Sequence, residues 1–491
     1  MAWDVKVKTG LFFILLGFRV TPAIAADVSF SVWTKQLLTV VSDSPTLAAL
    51  TASAESYEDN YRLEYRQSPF TLISGLNYGA YSPNPNFSTN LQRMGLFVFN
   101  NQLNYQANSS FSAALQLSSS LGNFPAGVLP TDSEIATLTL SYDLIRGGSS
   151  GLLWSQARGR ALASLRQYYE VLSSLIGTRV QAYRAGILLY VAQCKIRRLK
   201  SAQVSISDTV EGGRVQVKAK TLAFKDFLNF QNLENSFTER LAREQLNAQQ
   251  LKQNLSIYGE GVEKISEQLN SPLMVCDSGP KFSDAQISGY KLDPTTLDAV
   301  AKSLPSVMAA QSAKEGAFHE LRAAQITNKV SLSPFVSGGY VKQDAFSSQI
   351  TPPSVQVGVN LVWNIPGTRG ALNEEQAKAK LNSRNFSLRA EYQNSIARLG
   401  VLQNELNSQL NILNILEKNL DNSDTLLRVL DTQRAIGNVE SLNFSVAYLA
   451  NVDAQNAIFD SWGAIEGDIF EISEYKNFAK AHAPLSLAGN E

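Results

Sequence analysis

Residues 354–377 read SVQVGVNLVWNIPGTRGALNEEQA, and the pattern of the stretch changes halfway along it. From Ser354 to Trp363, apolar residues alternate with small or polar ones, which is typical of a β-strand with two different faces. Beyond this strand, no proline occurs from Gly367 to Ala483. Because proline inside a helix removes a hydrogen bond and clashes with the preceding turn, its absence here allows very long helices.

The proline-free part predicts a long helical hairpin over residues 371–475, with leucines at steps of three, four and seven. The first half of the chain repeats this arrangement. No proline occurs from Thr131 to Ser271, and a second hairpin is predicted over residues 152–258. A helix of about 57 residues is on the order of 85 Å long, at about 1.5 Å per residue. Helices of that length predict a tube or stalk.

Alternating segments precede each hairpin, over residues 69–144 and again over residues 334–363. The sequence Ser68-Pro69-Phe70 recurs as Ser333-Pro334-Phe335. Each half therefore reads helix, strands, long helix, turn, helix, and the chain contains an internal duplication. The first repeat is predicted over residues 26–300, with an equatorial segment at 259–300. The second is predicted over residues 301–491, ending in a C-terminal tail.

The number of strands has two interpretations. Two strands in each half give four per chain. Alternatively the first half has four strands and the chain six, because Arg93–Ser120 holds two strand-like runs, although a long surface loop has a similar composition. A membrane barrel must close on itself and needs about eight strands or more. One chain is too small on either count, so several copies must share a barrel.

The N-terminus predicts export. Lys6 and Lys8 precede the apolar run Leu11–Phe18, and Ala23-Ile24-Ala25 fits the end of a signal peptide over residues 1–25. No other part of the chain has 18 uninterrupted apolar residues, the length of a transmembrane helix. The 43 basic and 43 acidic residues balance, which gives no indication of a nucleic-acid partner.

Residues that support catalysis or metal binding are scarce. Cys194 and Cys276 are predicted to be free thiols, because the expected helix geometry separates them by about 30 Å or more. The only two histidines, His319 and His482, are predicted at the surface. We find no zinc-protease, nucleophile-elbow or phosphate-loop motif. The sequence therefore predicts no enzyme, no cofactor and no metal site.

Four short stretches, in duplicated order, resemble the TolC-like outer-membrane efflux proteins. They are SDSPTLAALTAS at 42–53, LSYDLIRGG at 140–148, LVWNIPGTRG at 361–370, and IGNV at 436–439. The resemblance implies a mixed α and β membrane protein of a Gram-negative outer membrane. It implies a homotrimer whose transmembrane β-barrel has 12 strands, or 18 on the higher count, and continues into a long periplasmic α-helical barrel.

The resemblance also implies partners and a role. A periplasmic adaptor (membrane fusion) protein and an inner-membrane transporter would open the channel at its periplasmic tip, and outer-membrane lipid would surround the barrel. The chain would be the passive duct of a tripartite efflux or type I secretion system. The alternative is a periplasmic helical-hairpin scaffold or adaptor without a barrel. Such a protein should have one hairpin, so two hairpins and two sets of strands count against it.

The family's gate lies at the two hairpin tips, here about residues 208–226 and 431–446. Lys218 or Lys220 stands where the first tip usually has glycine. In the second tip, which contains Gly437, acidic pore-facing residues of well-known members align with Asn443 and Val446, so a neutral constriction is expected. Asp226 aligns with an acidic residue of the closing network. We expect it to pair with Arg434 of the neighbouring hairpin in the closed state.

Overall fold

The fold is described by a computed structural model. It describes residues 29–65, 70–81, 94–106, 111–123, 132–142, 149–270, 274, 276, 282, 284–328, 330–345, 347–363, 368–435 and 441–482. The predicted signal peptide, residues 1–25, lies outside the described residues, as does the predicted tail beyond residue 482.

Over the described residues, the order is two helices, four strands, six helices, two strands and two helices. The helices are α1 Phe30–Ser42, α2 Pro45–Tyr65, α3 Ser149–Lys218, α4 Phe224–Ser256, α5 Glu260–Gln268, α6 Asp284–Tyr290, α7 Pro294–Ser303, α8 Pro305–Thr327, α9 Thr368–Ala435 and α10 Ser441–Ala481. The strands are β1 Phe70–Tyr81, β2 Met94–Gln106, β3 Phe111–Asn123, β4 Asp132–Tyr142, β5 Val330–Ala345 and β6 Ser347–Trp363.

The six strands form one antiparallel sheet in the order β1-β2-β3-β4-β5-β6. The count of four strands is therefore wrong, and the alternative count of six is correct. The segment Arg93–Ser120, which could have been a surface loop, contributes β2 and most of β3. These two strands pair residue by residue from Gly95↔Asn123 to Gln106↔Ser112.

The chain divides into two compact units that do not follow its duplication. One unit takes residues 56–168 and 309–389, and it contains the whole sheet. The other takes residues 1–55, 169–308 and 390–491, and it contains most of the helical hairpins. Each unit therefore draws chain from both halves of the sequence.

The core of the second unit lies where α1 packs on α3. Trp33 and Leu37 of α1 are completely buried, in one cluster with Ile187 of α3 and Trp462 of α10. The Trp33 indole N–H donates to the Ile265 carbonyl at 3.4 Å. Gly186 allows this approach, because a Cβ atom there would collide with the Leu37 side chain. Aromatic burial of this size dominates packing energy, so α1 is firmly attached to the hairpin.

Cys194 and Cys276 form a disulfide, so the prediction of two free thiols is wrong. Their Cα atoms lie 5.5 Å apart. The prediction assumed that the chain moves away from α3 after the hairpin, whereas it folds back along that helix. The Arg197 guanidinium donates to the Met274 carbonyl at 2.8 Å and that of Arg198 to the Cys276 carbonyl at 3.4 Å. A disulfide also fits an exported protein, because oxidising compartments preserve such bonds.

We predict that replacing both cysteines by serine (Cys194→Ser with Cys276→Ser) lowers the free energy of unfolding by about 2–4 kcal/mol. The bond joins residues separated by 82 positions, and freeing a loop of that length increases the entropy of the unfolded chain. Chemical denaturation followed by circular dichroism measures the change. As a control, denatured but unreduced wild type should not react with a maleimide. Two reactive thiols in that sample would contradict the disulfide.

Candidate functional site

One face of the sheet is apolar. In an antiparallel sheet, directly opposed residues share a face, and the register pairs Leu103 with Leu115 and Leu115 with Leu138. The same face carries Val357, which retains 77% of its exposure. The apolar face comprises, among described side chains, Leu103, Leu115, Leu117, Leu138, Leu140, Tyr142, Leu332, Val336, Val355, Val357, Val359 and Leu361. A continuous exposed surface of this kind indicates contact with lipid or another protein.

The opposite face is polar and uncharged over its described side chains. Gln116 opposes Thr137, and Ser337 opposes both Thr139 and Gln356. The Thr139 and Ser337 hydroxyls share a hydrogen bond at 3.1 Å. The polar face comprises Ala114, Gln116, Thr137, Thr139, Ser141, Ser333, Phe335, Ser337, Gly339, Gln356 and Gly358. Alternation between an apolar and a polar face is the pattern of strands that separate lipid from water.

The sheet is open at both ends of its strand order. Among the described strands, β1 pairs only with β2, and β6 pairs only with β5. The outer edge of each strand therefore presents a row of backbone N–H and C=O groups to be paired. In a membrane, every such group left unpaired costs several kcal/mol. Two long edges on one chain thus fit closure against other copies of it.

The first hairpin tip is a short turn over residues 219–223. The Thr221 amide and hydroxyl both donate to the Gln216 carbonyl, at 2.9 and 3.1 Å. Lys218 is the exposed last residue of α3, and Asp226 lies half-exposed in the first turn of α4. Lys220 has φ = 59°, a left-handed conformation that favours glycine. Of the two lysines that could stand at the glycine position, Lys220 is therefore the one with the backbone conformation that glycine favours.

The second tip joins α9, which ends at Ala435, to α10, which begins at Ser441. Asn443 and Val446 are both exposed in the first two turns of α10. Gly437 and the side chain of Arg434 lie outside the described residues. The structure therefore brings Lys218 and Asp226 together at one tip, and Asn443 and Val446 at the start of one helix.

A buried ionic cluster joins three long helices. The Arg184 guanidinium of α3 donates to Asp468 at 2.8 Å and to Glu471 at 2.9 Å, both on α10. The Arg398 guanidinium of α9 also donates to Glu471, at 2.7 Å. Asp468 and Glu471 are almost completely buried. Sequence reasoning missed this cluster, although charged residues inside the apolar stretch 459–478 of α10 were a usable signal.

Burial changes the proton affinity of the carboxyl groups on α10. It raises the pKa of Glu466 to about 7. It also raises the pKa of Asp468 and Glu474, against the opposing effect of Arg184 and Arg179 respectively. Desolvation disfavours the charged form of a carboxyl group, and the arginines beside Asp468 and Glu474 offset this effect only in part.

Further polar pairs hold the two hairpins side by side. Lys195 of α3 donates to Asp460 of α10 at 2.6 Å. Arg240 of α4 donates to both carboxylate oxygens of Asp453 on α10, at 2.6 and 2.7 Å. Such pairs contribute little stability at the surface, but they fix which faces of the helices meet.

The two histidines, predicted at the surface, are both partly exposed and each contacts an aromatic ring. His319 is half-buried, with its ring 5.2 Å from that of Trp154 in an edge-on arrangement. His482 is half-buried and stacks on Phe478 at 4.2 Å. Over the described residues, no three His, Cys, Asp or Glu side chains are grouped as a metal site requires. No helix within the described ranges is both long and apolar enough to cross a membrane.

Comparisons with solved structures identify the fold of the chain. No protein-family model matches the chain, and neither does any curated protein sequence. Among solved structures, a membrane protein from Pseudomonas aeruginosa matches with a TM-score of 0.62 at 13% identity, over 90% of this chain and 93% of that one. The Campylobacter jejuni CmeC outer membrane channel matches with a TM-score of 0.59 at 11% identity, over 91% and 86% respectively. The open state of the Neisseria gonorrhoeae MtrE outer membrane channel matches with a TM-score of 0.57 at 14% identity, over 91% and 88%.

The chain therefore has the fold of outer-membrane channels. The TolC-like fold expected from the duplicated motifs is confirmed at this level. A likeness at such low identity concerns the fold, and the role of individual residues has to be argued from this chain.

The raised pKa of Glu466 predicts a pH dependence of stability. Between about pH 4.5 and about pH 7, the folded chain binds more protons at Glu466 than the unfolded chain does. The protonated Glu466 carboxyl contributes fully to the free energy of unfolding below about pH 4.5. This contribution is lost as the pH rises through about 7, and the loss is on the order of 2–3 kcal/mol. Glu466→Gln should be more stable than wild type at pH 8 and equal to it at pH 4.5.

Thermal unfolding of the detergent-solubilised protein at both pH values measures this difference. Glu417→Gln, a substitution at an exposed position of α9, serves as the matched control and should leave the pH dependence unchanged. If Glu466→Gln and Glu417→Gln behave alike, Glu466 does not titrate in this range.

Proposed function

We propose that three copies of this chain form an outer-membrane channel that acts as a passive export duct. The observation that carries the proposal is the two-faced sheet with two unpaired edges. Its apolar face suits lipid, its polar face suits water, and its edges need partners with the same backbone pattern. The fold shared with solved outer-membrane channels supports the same conclusion.

In the proposed trimer, the β1 edge of one copy pairs with the β6 edge of the next. Six strands per chain then give a closed barrel of 18 strands. Barrels of about 16–18 strands leave an aqueous channel in the middle, whereas about eight strands leave room only for side chains. The uncharged serine, threonine and glutamine side chains of the polar face would line this channel.

The helices of the other unit are suited to forming a tunnel wall. The part of α3 in that unit, residues 169–218, is about 75 Å long at 1.5 Å per residue. The ionic cluster around Arg184 and Glu471 and the Arg240–Asp453 pair fix neighbouring long helices against one another. Copies placed side by side would extend this wall into a closed ring.

Energy for transport would come from partners. We infer that a periplasmic adaptor and an inner-membrane transporter engage the hairpin tips, in a tripartite efflux or type I secretion system. The first tip supports a docking role, because it exposes Val215 and Phe224, with 59% and 63% of their surface accessible. The chain itself has no phosphate-binding loop. This arrangement describes a duct and not an enzyme.

A helical scaffold without a barrel is the competing function, and the two outcomes are easily separated. Electron microscopy of protein extracted from the outer-membrane fraction should show a hollow threefold particle more than about 100 Å long. In planar lipid bilayers, the same preparation should give discrete channel conductance. A monomer recovered from the periplasm, without bilayer activity, would support the scaffold.

Adjacent residues of β6 provide a matched test of the sheet orientation. Val357→Lys places a charge on the apolar face and should reduce insertion into the membrane, because it costs about 2–4 kcal/mol near the bilayer midplane. Gln356→Lys places the same charge on the polar face. It should leave insertion unchanged and shift ion selectivity towards anions. The orientation is wrong if Gln356→Lys abolishes insertion while Val357→Lys does not.

The gate hypothesis gives a second conductance test. We propose that Asp226 pairs with Arg434 of the neighbouring hairpin in the closed state. Asp226→Ala should then increase the open probability of the isolated channel, and the exchange Asp226→Arg with Arg434→Asp should restore closure. Asp208→Ala, at an exposed position farther along the same hairpin, is the control. Unchanged conductance in Asp226→Ala would exclude the pair.

A further inference from the structure

Two arginines and three rings form a cluster at the sheet-proximal ends of the helices. The Arg158 guanidinium lies 3.4 Å above the ring of Tyr65 and 5.4 Å from the ring of Trp154. Arg322 approaches the same indole at 5.2 Å, and His319 meets it edge-on at 5.2 Å. We call Tyr65, Trp154, Arg158, His319 and Arg322 the arginine collar. Their contacts are cation–π and edge-on contacts, which favour positive charge beside the ring faces.

The position of the collar follows from the chain. Tyr65 ends α2 five residues before β1, and Arg322 precedes the end of α8, which leads into β5. Arg158 lies nine residues after the start of α3, which follows β4. At about 1.5 Å per residue, the helical residues of the collar lie within about 14 Å of these helix ends. The collar is thus next to the end of the sheet where Tyr142 lies on the apolar face.

The charges of the collar are not neutralised within the described residues. Neither Arg158 nor Arg322 forms an ion pair with a carboxylate there, whereas nearby Arg160 pairs with Glu64 at 3.3 Å. Burial and the two arginines lower the pKa of His319 to about 4, so this ring is neutral at pH 7. Each chain therefore presents two guanidinium groups, and their N–H donors suit a phosphate.

Two exposed apolar side chains accompany these groups. Leu63 and Phe318, on the neighbouring turns of α2 and α8, retain 71% and 51% of their exposure. Rings with polar edges, arginines and exposed apolar side chains occur together where a protein crosses from lipid to water. Because the collar lies next to the strand ends in the chain, it would face lipid headgroups if the sheet lies in a membrane.

We propose that the arginine collar binds the phosphate of an anionic glycerophospholipid in the membrane leaflet at the end of the sheet where Tyr142 lies. Arg158 and Arg322 donate to the headgroup phosphate, the rings of Tyr65 and Trp154 hold the guanidinium groups in place, and Leu63 and Phe318 contact the acyl chains. This proposal rests on the proposed function, because it requires the sheet to lie in a membrane.

Native mass spectrometry of the purified full-length protein, titrated with phosphatidylglycerol and separately with phosphatidylcholine, tests the collar. Wild type should retain phosphatidylglycerol in preference to the zwitterionic lipid. The double variant Arg158→Gln with Arg322→Gln should bind phosphatidylglycerol on the order of thirtyfold more weakly, since each of the two basic residues near an anionic lipid surface contributes a factor of about five. Arg160→Gln, at the arginine paired with Glu64, should bind like wild type.

Two outcomes overturn the proposal. Equal phosphatidylglycerol binding by wild type and the double variant would show that the arginines do not hold the headgroup. Unchanged lipid binding together with easier dissociation of the oligomer would make the collar a contact between copies. If the glutamine variant does not fold, Arg158→Lys with Arg322→Lys replaces it. That variant keeps the charge but loses the planar fork, and should bind less tightly than wild type.

Conductance measured on the same samples separates this proposal from the proposed function. A conducting channel whose lipid binding does not depend on the two arginines would contradict only the lipid-binding proposal. A protein that never inserts into a bilayer would contradict both this proposal and the proposed channel function.

Discussion

The pairing of backbone groups at the sheet edges is the constraint on which the rest of the molecule depends. Among the described residues, much of the apolar face of the six-stranded sheet is exposed, and the outer edges of β1 and β6 are unpaired. Both needs are met when copies close a ring inside a membrane, because closure removes every edge and lipid covers the apolar surface. The proposed trimer meets this requirement.

The helical unit meets a different requirement, which is to keep very long helices in fixed register. Apolar stripes alone allow neighbouring helices to slide, since leucine rows repeat along the axis. The contacts of Arg184 and Arg398 with Glu471 have a definite position along α3, α9 and α10, and burial makes a mismatch costly. The Cys194–Cys276 bond adds a covalent link between α3 and the chain that follows α5. Together they fix α3, α9 and α10 and the chain that follows α5 in one arrangement.

Long helices could be predicted from the sequence because proline and leucine spacing are local signals. The strands were harder to predict from the sequence. Arg93–Ser120 has the composition of either strands or loop, and only its register with β1 and β4 decides between them. The disulfide could not be found, because it depends on the chain returning along α3 after α5, a tertiary feature stabilised by Arg197 and Arg198. The ionic cluster was missed for a similar reason: its arginines and carboxylates come from helices far apart in sequence. At the tips, the residue types were visible, but the left-handed conformation of Lys220 was not.

The distribution of charge along the chain affects which molecules the proposed duct could select. Charged residues are abundant between the helices, where arginine and carboxylate neutralise each other, yet the described polar face of the sheet has none. The Thr139 and Ser337 hydroxyls share a hydrogen bond, and these side chains and that of Gln116 carry no charge to attract cations or anions. Asn443 and Val446, exposed near the second tip, are likewise uncharged. In the proposed channel, a lining of this kind would discriminate by size more than by charge, and the choice of cargo would then fall to the proposed partner at the tips.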